Sequence, residues 1–243
     1  MYLITGKPNT GKSTAIRKII HMLGKGRCGG FFTEEIIENG ERAGFITRTL
    51  SGKERILAHK KLVSDFMVED FGVDLEDFEE LCLEEIDRAV SDDNIKFIII
   101  DEIGPMQLHS AKYRKLLEEL LESNKKIIAT VCIWHTEWLD RFRNDENNIL
   151  YEITEDNRDE LPLSIITEVN RNDELFLSKV ELAKKYCKEP ERYSYEENEV
   201  IMRSTHDVRR ITRTNGSYHC SCDYYKQTGT CSHIMSLILK DGF

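Results

Sequence analysis

Apolar and polar positions change period several times along the chain, and each change marks an element. "YLIT" (2–5) is a short apolar run of strand character, followed by the loop "GKPNTG". "KSTAIRKIIHML" (12–23) then spaces its apolar residues as a helix does and stops at Gly24. Further on the period drops to two, in "FFTEEIIENGERAGFITRTLSGKERILAH". Asn39-Gly40 and Ser51-Gly52 interrupt that alternation with residues tolerant of positive φ, which predicts antiparallel hairpins. "LEDFEELCLEEIDRAV" (75–90) returns to the helical period, and "IKFIII" (95–100) is an apolar, β-branched run suited to a central parallel strand. An amphipathic helix is expected over 110–122, and buried strands over 126–134 ("KIIATVCIW") and 149–154 ("ILYEIT"). Strand and helix alternating in this way predict an α/β layered domain.

The pattern changes after about residue 170. "NDELFLSKVELAKKYCKEPERYSYEENE" predicts one helix ended by Pro190, then a highly charged linker poor in apolar residues. A chain of 243 residues holds one medium domain and a small module. The expected division is a domain over 1–170, a helix and linker over 171–198, and a module over 199–243. Charge changes sign at that last boundary: the tail carries six Lys and Arg against four Asp and Glu, net +2, and the rest carries −12. The overall −10 opposes general adsorption to nucleic acid and leaves a local basic surface open. A mean hydropathy of −0.46, with no apolar run near 18 residues, predicts no membrane span. No export signal is visible. Seven Cys, an odd number with Cys28, Cys82, Cys132 and Cys187 scattered, suit reduced thiols and a cytoplasmic location.

Gly6, four residues, then Gly11-Lys12-Ser13 fits the phosphate-binding loop, set between a strand and a helix as that loop must be. Its two glycines let the backbone curl so that N–H groups face phosphate oxygens, and the first helical turn adds its unpaired donors and positive dipole end. The expected nucleotide-binding residues are Gly6, Lys7, Pro8, Asn9, Thr10, Gly11, Lys12, Ser13 and Thr14. Lys12 would supply charge to the β- and γ-phosphates, and Ser13 would ligate Mg²⁺. The plainer alternative is an ordinary Gly-rich turn between strand and helix.

The matching half of such a site is an apolar strand ending in acid, and "FIIIDEIG" has that form. Asp101 is expected in the magnesium shell, and Glu102 is placed to orient or deprotonate an attacking water. Against this, one acid would merely cap the helix after Pro105, which Ser110 could do as well. Residues 124–127 read NKKI, so guanine selectivity has no support.

"GKPNTGKST", "GGFFTEEI…GERAGF", "VDLEDFEEL", "IIIDEIGPMQL" and "EDNRDELP" occur in this order and resemble the nucleoside-triphosphatase family that includes thermostable archaeal enzymes and the human cancer-related nucleoside-triphosphatase. The resemblance covers about 165 residues. It implies an α/β P-loop fold related to RecA-like ATPases, with a mostly parallel sheet and an antiparallel hairpin region, and hydrolysis of several nucleoside triphosphates, ATP and GTP among them, to diphosphate and phosphate. It also implies the phosphate, magnesium and water roles given above. "TVCIWHTEW" departs from the family, and no arginine finger is assigned. Thr33, Glu34 and Glu35 read equally as neighbours of the active site or a solvated strand edge. Arg158 reads as a phosphate contact or a surface Arg–Asp pair. Trp134 and His135 would flank the nucleotide or form a partly buried aromatic patch.

Near the other end, Cys220, Cys222, Cys231 and His233 form Cys-x-Cys, eight residues, Cys-x-His. Three thiolates and an imidazole make a closed tetrahedral set that prefers Zn²⁺ to Mg²⁺. The first pair should end a strand or hairpin, and the second should begin the terminal helix. His219 is a rival ligand, and free thiols in a small core are the plainer alternative. "HDVRRITRTNGSYHCSCDYYKQTGTCSHIMSLIL" resembles the SWIM-type zinc finger, which implies binding of nucleic acid or protein. Arg203, Arg209, Arg210 and Arg213 would contact phosphates or be solvated strand charges. Tyr224 and Tyr225 offer stacking faces or cover for the metal site.

The chemistry expected is therefore Mg²⁺-dependent hydrolysis of a nucleoside triphosphate, with the finger recruiting DNA, RNA or protein. A Cys220→Ser, Cys231→Ser variant is expected to unfold the tail and spare hydrolysis. A nucleoside or polynucleotide phosphotransferase and a non-enzymatic, nucleotide-switched adaptor are the alternatives.

Overall fold

The computed structural model describes residues 1–214 and 217–241; Asn215 and Gly216 of the finger-like stretch lie outside them. The chain forms two compact units, Met1–Ser13 with Cys28–Thr154, and Thr14–Arg27 with Glu155–Phe243.

The first unit opens with β1 (Tyr2–Thr5), whose loop leads into α1 (Lys12–Leu23), a helix that starts here and continues into the second unit. There follow β2 (Cys28–Glu38), β3 (Glu41–Thr49), β4 (Glu54–His59), β5 (Met67–Val68) and β6 (Phe71–Val73). The remaining elements are α2 (Leu75–Ser91), β7 (Phe97–Ile103), α3 (Ala111–Leu121), β8 (Lys126–Val131), α4 (Glu137–Arg143) and β9 (Ile149–Glu152). The strands form a nine-stranded sheet in the order β5-β6-β4-β3-β2-β7-β8-β1-β9. Pairings from β2 to β9 are parallel, and those from β2 outward through β3, β4, β6 and β5 are antiparallel. The hairpin region is thus as wide as the parallel one.

Local chemistry accounts for these elements. Asn39 and Gly40 both adopt positive φ, 51° and 84°, as a two-residue hairpin turn requires. On α2, Phe78, Leu81, Cys82, Ile86 and Ala89 fall on one buried face, and Asp74 caps the first turn by accepting from the Asp77 N–H. The same face buries Glu85, which accepts from the Gly30 N–H at 3.0 Å and the Ser51 hydroxyl at 2.6 Å and pairs with Arg88. A buried carboxylate so fully partnered ties helix, strand and hairpin turn together. Phe31, Phe78 and Tyr113 meet at ring-centroid distances of 5.2–6.1 Å in the core between sheet and helices.

The second unit holds α5 (Leu161–Val169), α6 (Glu174–Tyr186), β10 (Tyr193–Tyr195), β11 (Glu199–Arg203), β12 (Val208–Thr214), β13 (Ser217–Cys220), α7 (Asp223–Thr228) and α8 (Ser232–Asp241). β10 to β13 form an antiparallel meander, and α6 packs on α8. The expected linker after Pro190 is structured instead: Tyr193, Ser194 and Tyr195 pair with Met202, Ile201 and Val200. A three-residue edge strand with one buried residue, Tyr193, needs little apolar sequence, so composition hid it. The expected boundaries at 170 and 198 both fall inside this unit. Among the described residues no helix is long and apolar enough to cross a membrane.

Candidate functional site

β8 lies between β1 and β7, all three parallel, so their carboxyl ends lie side by side. Ligands of open α/β sheets gather at such ends. The loop Gly6–Gly11 leaves the tip of β1, and Asp101 and Glu102 occupy the last turn of pleat in β7. Thr130 stands at the end of β8, in register with Ile4.

Gly6 is set against the backbone after β9: a Cβ there would lie 2.6 Å from the Ile153 carbonyl oxygen. Asn9 and Gly11 take φ of 63° and 100°, the conformations that curl the loop, in residue types that tolerate them. Thr10 holds the curl by donating its hydroxyl to the Lys7 carbonyl at 2.8 Å. Lys12 folds back over the loop and donates from Nζ to the Gly6 and Lys7 carbonyls at 3.0 and 3.1 Å. Its ammonium therefore already sits inside the loop's concavity. α1 has no acid in its first turn, which leaves the positive end of its dipole unopposed.

Asp101 is buried and accepts a short hydrogen bond from the Thr130 hydroxyl, itself without exposed surface. Glu102 is half-buried beside Gly104, whose missing Cβ makes room for the carboxylate. The Asp101–Glu102 peptide is cis. Burial, and then the Asp101 charge, push the Glu102 carboxyl above the usual carboxylate range, while Lys12 pulls it back. The loop lysine and the second acid thus lie within electrostatic reach of one another. Sequence reasoning missed Thr130 and the buried Gln107, whose Nε2 reaches Thr33 Oγ1 at 3.4 Å. A lone Thr in the otherwise aliphatic "KIIATV" was the available signal.

The other candidates fall elsewhere. Glu34 and Glu35 pair with Arg48 and Arg42 across the hairpin, Glu34 at 2.9 Å. Ser110 caps α3 by accepting from the Tyr113 N–H, so neither strand acid is needed there. Trp134 is 53% exposed rather than partly buried, and His135 Nδ1 lies 3.0 Å from Asp140. Both sit beyond β8, which ends at Val131. Arg158 is exposed, and the neighbouring Asp159 pairs with Lys18 at 2.9 Å.

In the second unit Cys220 ends β13, Cys222 caps α7, and Cys231 and His233 bracket the start of α8. All four are buried and their ligand atoms lie within 4.8 Å of one another, with Cys220 Sγ 3.7 Å from His233 Nδ1. His219 is outside this cluster and meets the Tyr225 hydroxyl at 3.0 Å. Arg209 pairs with Asp207 at 2.6 Å, Arg210 pairs with Glu199, and Arg213 lies over the Tyr218 ring at 5.4 Å. Tyr225 donates to the Tyr218 carbonyl, and the Lys179 ammonium lies over Tyr224, so both rings serve the unit itself.

Known proteins match the first part of the chain. A match to the NTPase family spans residues 1–166. Nucleoside-triphosphatase THEP1 of Thermotoga sp. (strain RQ2) is 38% identical over 170 residues, 70% of this chain and 95% of that protein. The THEP1 protein of Aquifex aeolicus is 38% identical over 176 residues, covering 70% and 98%. The crystal structure of Aquifex aeolicus THEP1 superposes with a TM-score of 0.63 at 36% identity, over 70% of this chain and 99% of that one. The solution structure of a human cancer-related nucleoside triphosphatase gives 0.61 at 30% identity, over 70% and 97%.

Proposed function

The chain belongs to the NTPase family and is a nucleoside-triphosphatase, and from that premise we propose that it performs Mg²⁺-dependent hydrolysis of nucleoside triphosphates at the Gly6–Thr14 loop. One observation carries the reading: the curled loop with its inward Lys12, and the Asp101–Glu102 pair, stand at the tips of parallel strands separated by one strand only. The loop N–H groups and the start of α1 bind the phosphates, and Lys12 exchanges its two carbonyl acceptors for β- and γ-phosphate oxygens. Ser13 and Asp101 offer the hard oxygen donors that suit magnesium, Asp101 being aimed by Thr130. When bound, magnesium neutralises charge building on the phosphate oxygens. Glu102 accepts a proton from water as the water oxygen bonds to the γ-phosphorus and the bond to the β-phosphate oxygen breaks. The products are a nucleoside diphosphate and phosphate.

We assign the buried cluster of Cys220, Cys222, Cys231 and His233 to zinc. A tetrahedron with bonds near 2.3 Å has edges of about 3.8 Å; Cys220 Sγ and His233 Nδ1 stand 3.7 Å apart, and all four donors lie within 4.8 Å of one another. The expected division into a catalytic domain (1–170), a helical connection (171–198) and a SWIM-type finger (199–243) is kept as part of this proposal, supported by the family match ending at residue 166. The finger's proposed work is recruitment of a nucleic acid or protein partner, in the cytoplasm.

Phosphate release from ATP and magnesium with no added acceptor tests the reaction. Steady release supports hydrolysis, and release that appears only when a nucleoside or polynucleotide acceptor is added would assign a phosphotransferase instead. Metal analysis of reduced protein tests the cluster, which requires one zinc per chain.

A further inference from the structure

Residues 228–230, the last three before Cys231, close on the carboxyl end of α1, the helix whose amino end carries Lys12 and Ser13. The Thr230 hydroxyl, fully buried, donates to the Met22 carbonyl at 2.8 Å and reaches the His21 carbonyl at 3.5 Å. Both carbonyls lie in the last turn of the helix, where backbone acceptors commonly take partners from outside it. Gly24 ends the helix at φ 92°, its N–H donating to the Ile20 carbonyl. A Cβ on Gly24 would stand 2.8 Å from the Thr228 carbonyl oxygen and 3.1 Å from Gly229 C, so backbone meets backbone there. The His21 ring lies edge-on to Tyr218 at 5.8 Å, on the strand that ends in Cys220. Residues 14–27 accordingly belong to the same compact unit as the cluster.

The capping segment has little freedom of its own. Cys222 opens α7, Gly229 closes it with φ 71°, and Cys231 follows two residues later. Its ends are thus two of the four cluster thiols. A 12-residue helix is about 18 Å long and behaves as a rod, so holding one end restrains the other.

We propose that the metal cluster regulates the nucleotide site through α1: metal fixes the 223–230 segment, that segment fixes the helix end, and the helix presents Lys12 and Ser13 to phosphate. The inference rests on the zinc and nucleotide assignments made above, and it reverses the expectation that a Cys220→Ser, Cys231→Ser variant spares hydrolysis. Thermodynamic linkage then makes the effect mutual: nucleotide tightens zinc by the factor by which zinc tightens nucleotide.

The test is equilibrium competition for zinc between the full-length protein and a chromophoric chelator, with and without a non-hydrolysable ATP analogue and magnesium. The expected result is zinc affinity raised at least about fivefold by nucleotide, the lower range of coupling between sites. Nucleotide affinity should drop by the same factor in zinc-stripped protein. Thr230→Val, which leaves all four ligands, should keep stoichiometric zinc and bring the factor toward one, and Thr230→Ser should retain it. Stoichiometric zinc with a wild-type factor of one overturns the inference and leaves the zinc assignment standing. Protein that takes up no zinc overturns the assignment itself. The wild-type comparison decides the matter even if Thr230→Val does not fold.

Discussion

Glu102 stands under opposing influences, with burial and Asp101 favouring its protonated form and Lys12 favouring the charged one. The net effect raises its pKa in the folded state. Between the unfolded and folded values the folded protein therefore binds more protons, and stability falls as pH rises through that window. Glu102→Gln should melt at a higher temperature than wild type at neutral pH, with the gap closing below the ordinary carboxylate range. The same variant should lose about 10²–10⁴-fold in phosphate release, the usual yield of a positioned base, while still binding nucleotide. Turnover equal to wild type would remove Glu102 from the reaction. Thr130→Val removes one hydrogen-bond donor that orients Asp101 and should raise the magnesium concentration needed for half-maximal rate, a shift that Thr130→Ser should undo. Lys12, Ser13 and the acid pair could be proposed from sequence because each motif is local. Thr130 was not, since its role depends on β8 being inserted between β1 and β7, a fact of sheet order.

At the scale of elements, the most legible features had strong punctuation. β1 and α1 match their expected limits residue for residue, and Asn39-Gly40 forms its hairpin. β10 and α5 had no such marks. α5 carries Pro162 and the β-branched Ile165, Ile166, Thr167 and Val169, poor helix formers that become helical by burying Leu161, Ile165, Ile166 and Val169 together. The aromatic core of the first unit should be sensitive: Phe31→Ala is expected to lose about 3–5 kcal/mol in denaturant unfolding. In α1, burial and then Lys25 and Arg213 push His21 down to about 4 from 6.5. The unfolded chain thus takes up this proton first, and stability should fall as pH drops from about 6.5 to 4. His21→Gln should flatten that part of the unfolding curve against pH, and an unchanged slope would show that His21 is not the group responsible.

For the whole molecule, a change of composition along the chain was legible but the mechanical arrangement was not. Composition set an acidic first part apart from a tail with several Cys and His, yet no local pattern reveals that Thr230 caps a helix more than 200 residues earlier. A tail this small buries little surface by itself, and structural zinc contributes on the order of 10–16 kcal/mol at such sites. Chelation should therefore remove amide-exchange protection from β11–β13 and α8, and retained protection would count against a structural metal. If the tail recruits nucleic acid, its affinity should weaken with salt, and a slope that changes when ATP is added would join recruitment to the nucleotide cycle. The opening loop is decisive, and a crystal structure with magnesium and an ATP analogue would show its use. The triphosphate should lie against the N–H groups of residues 7–13, with Lys12 moved from the Gly6 and Lys7 carbonyls onto phosphate and Asp101 facing the metal. A nucleotide bound elsewhere, with Lys12 still on those carbonyls, would contradict it.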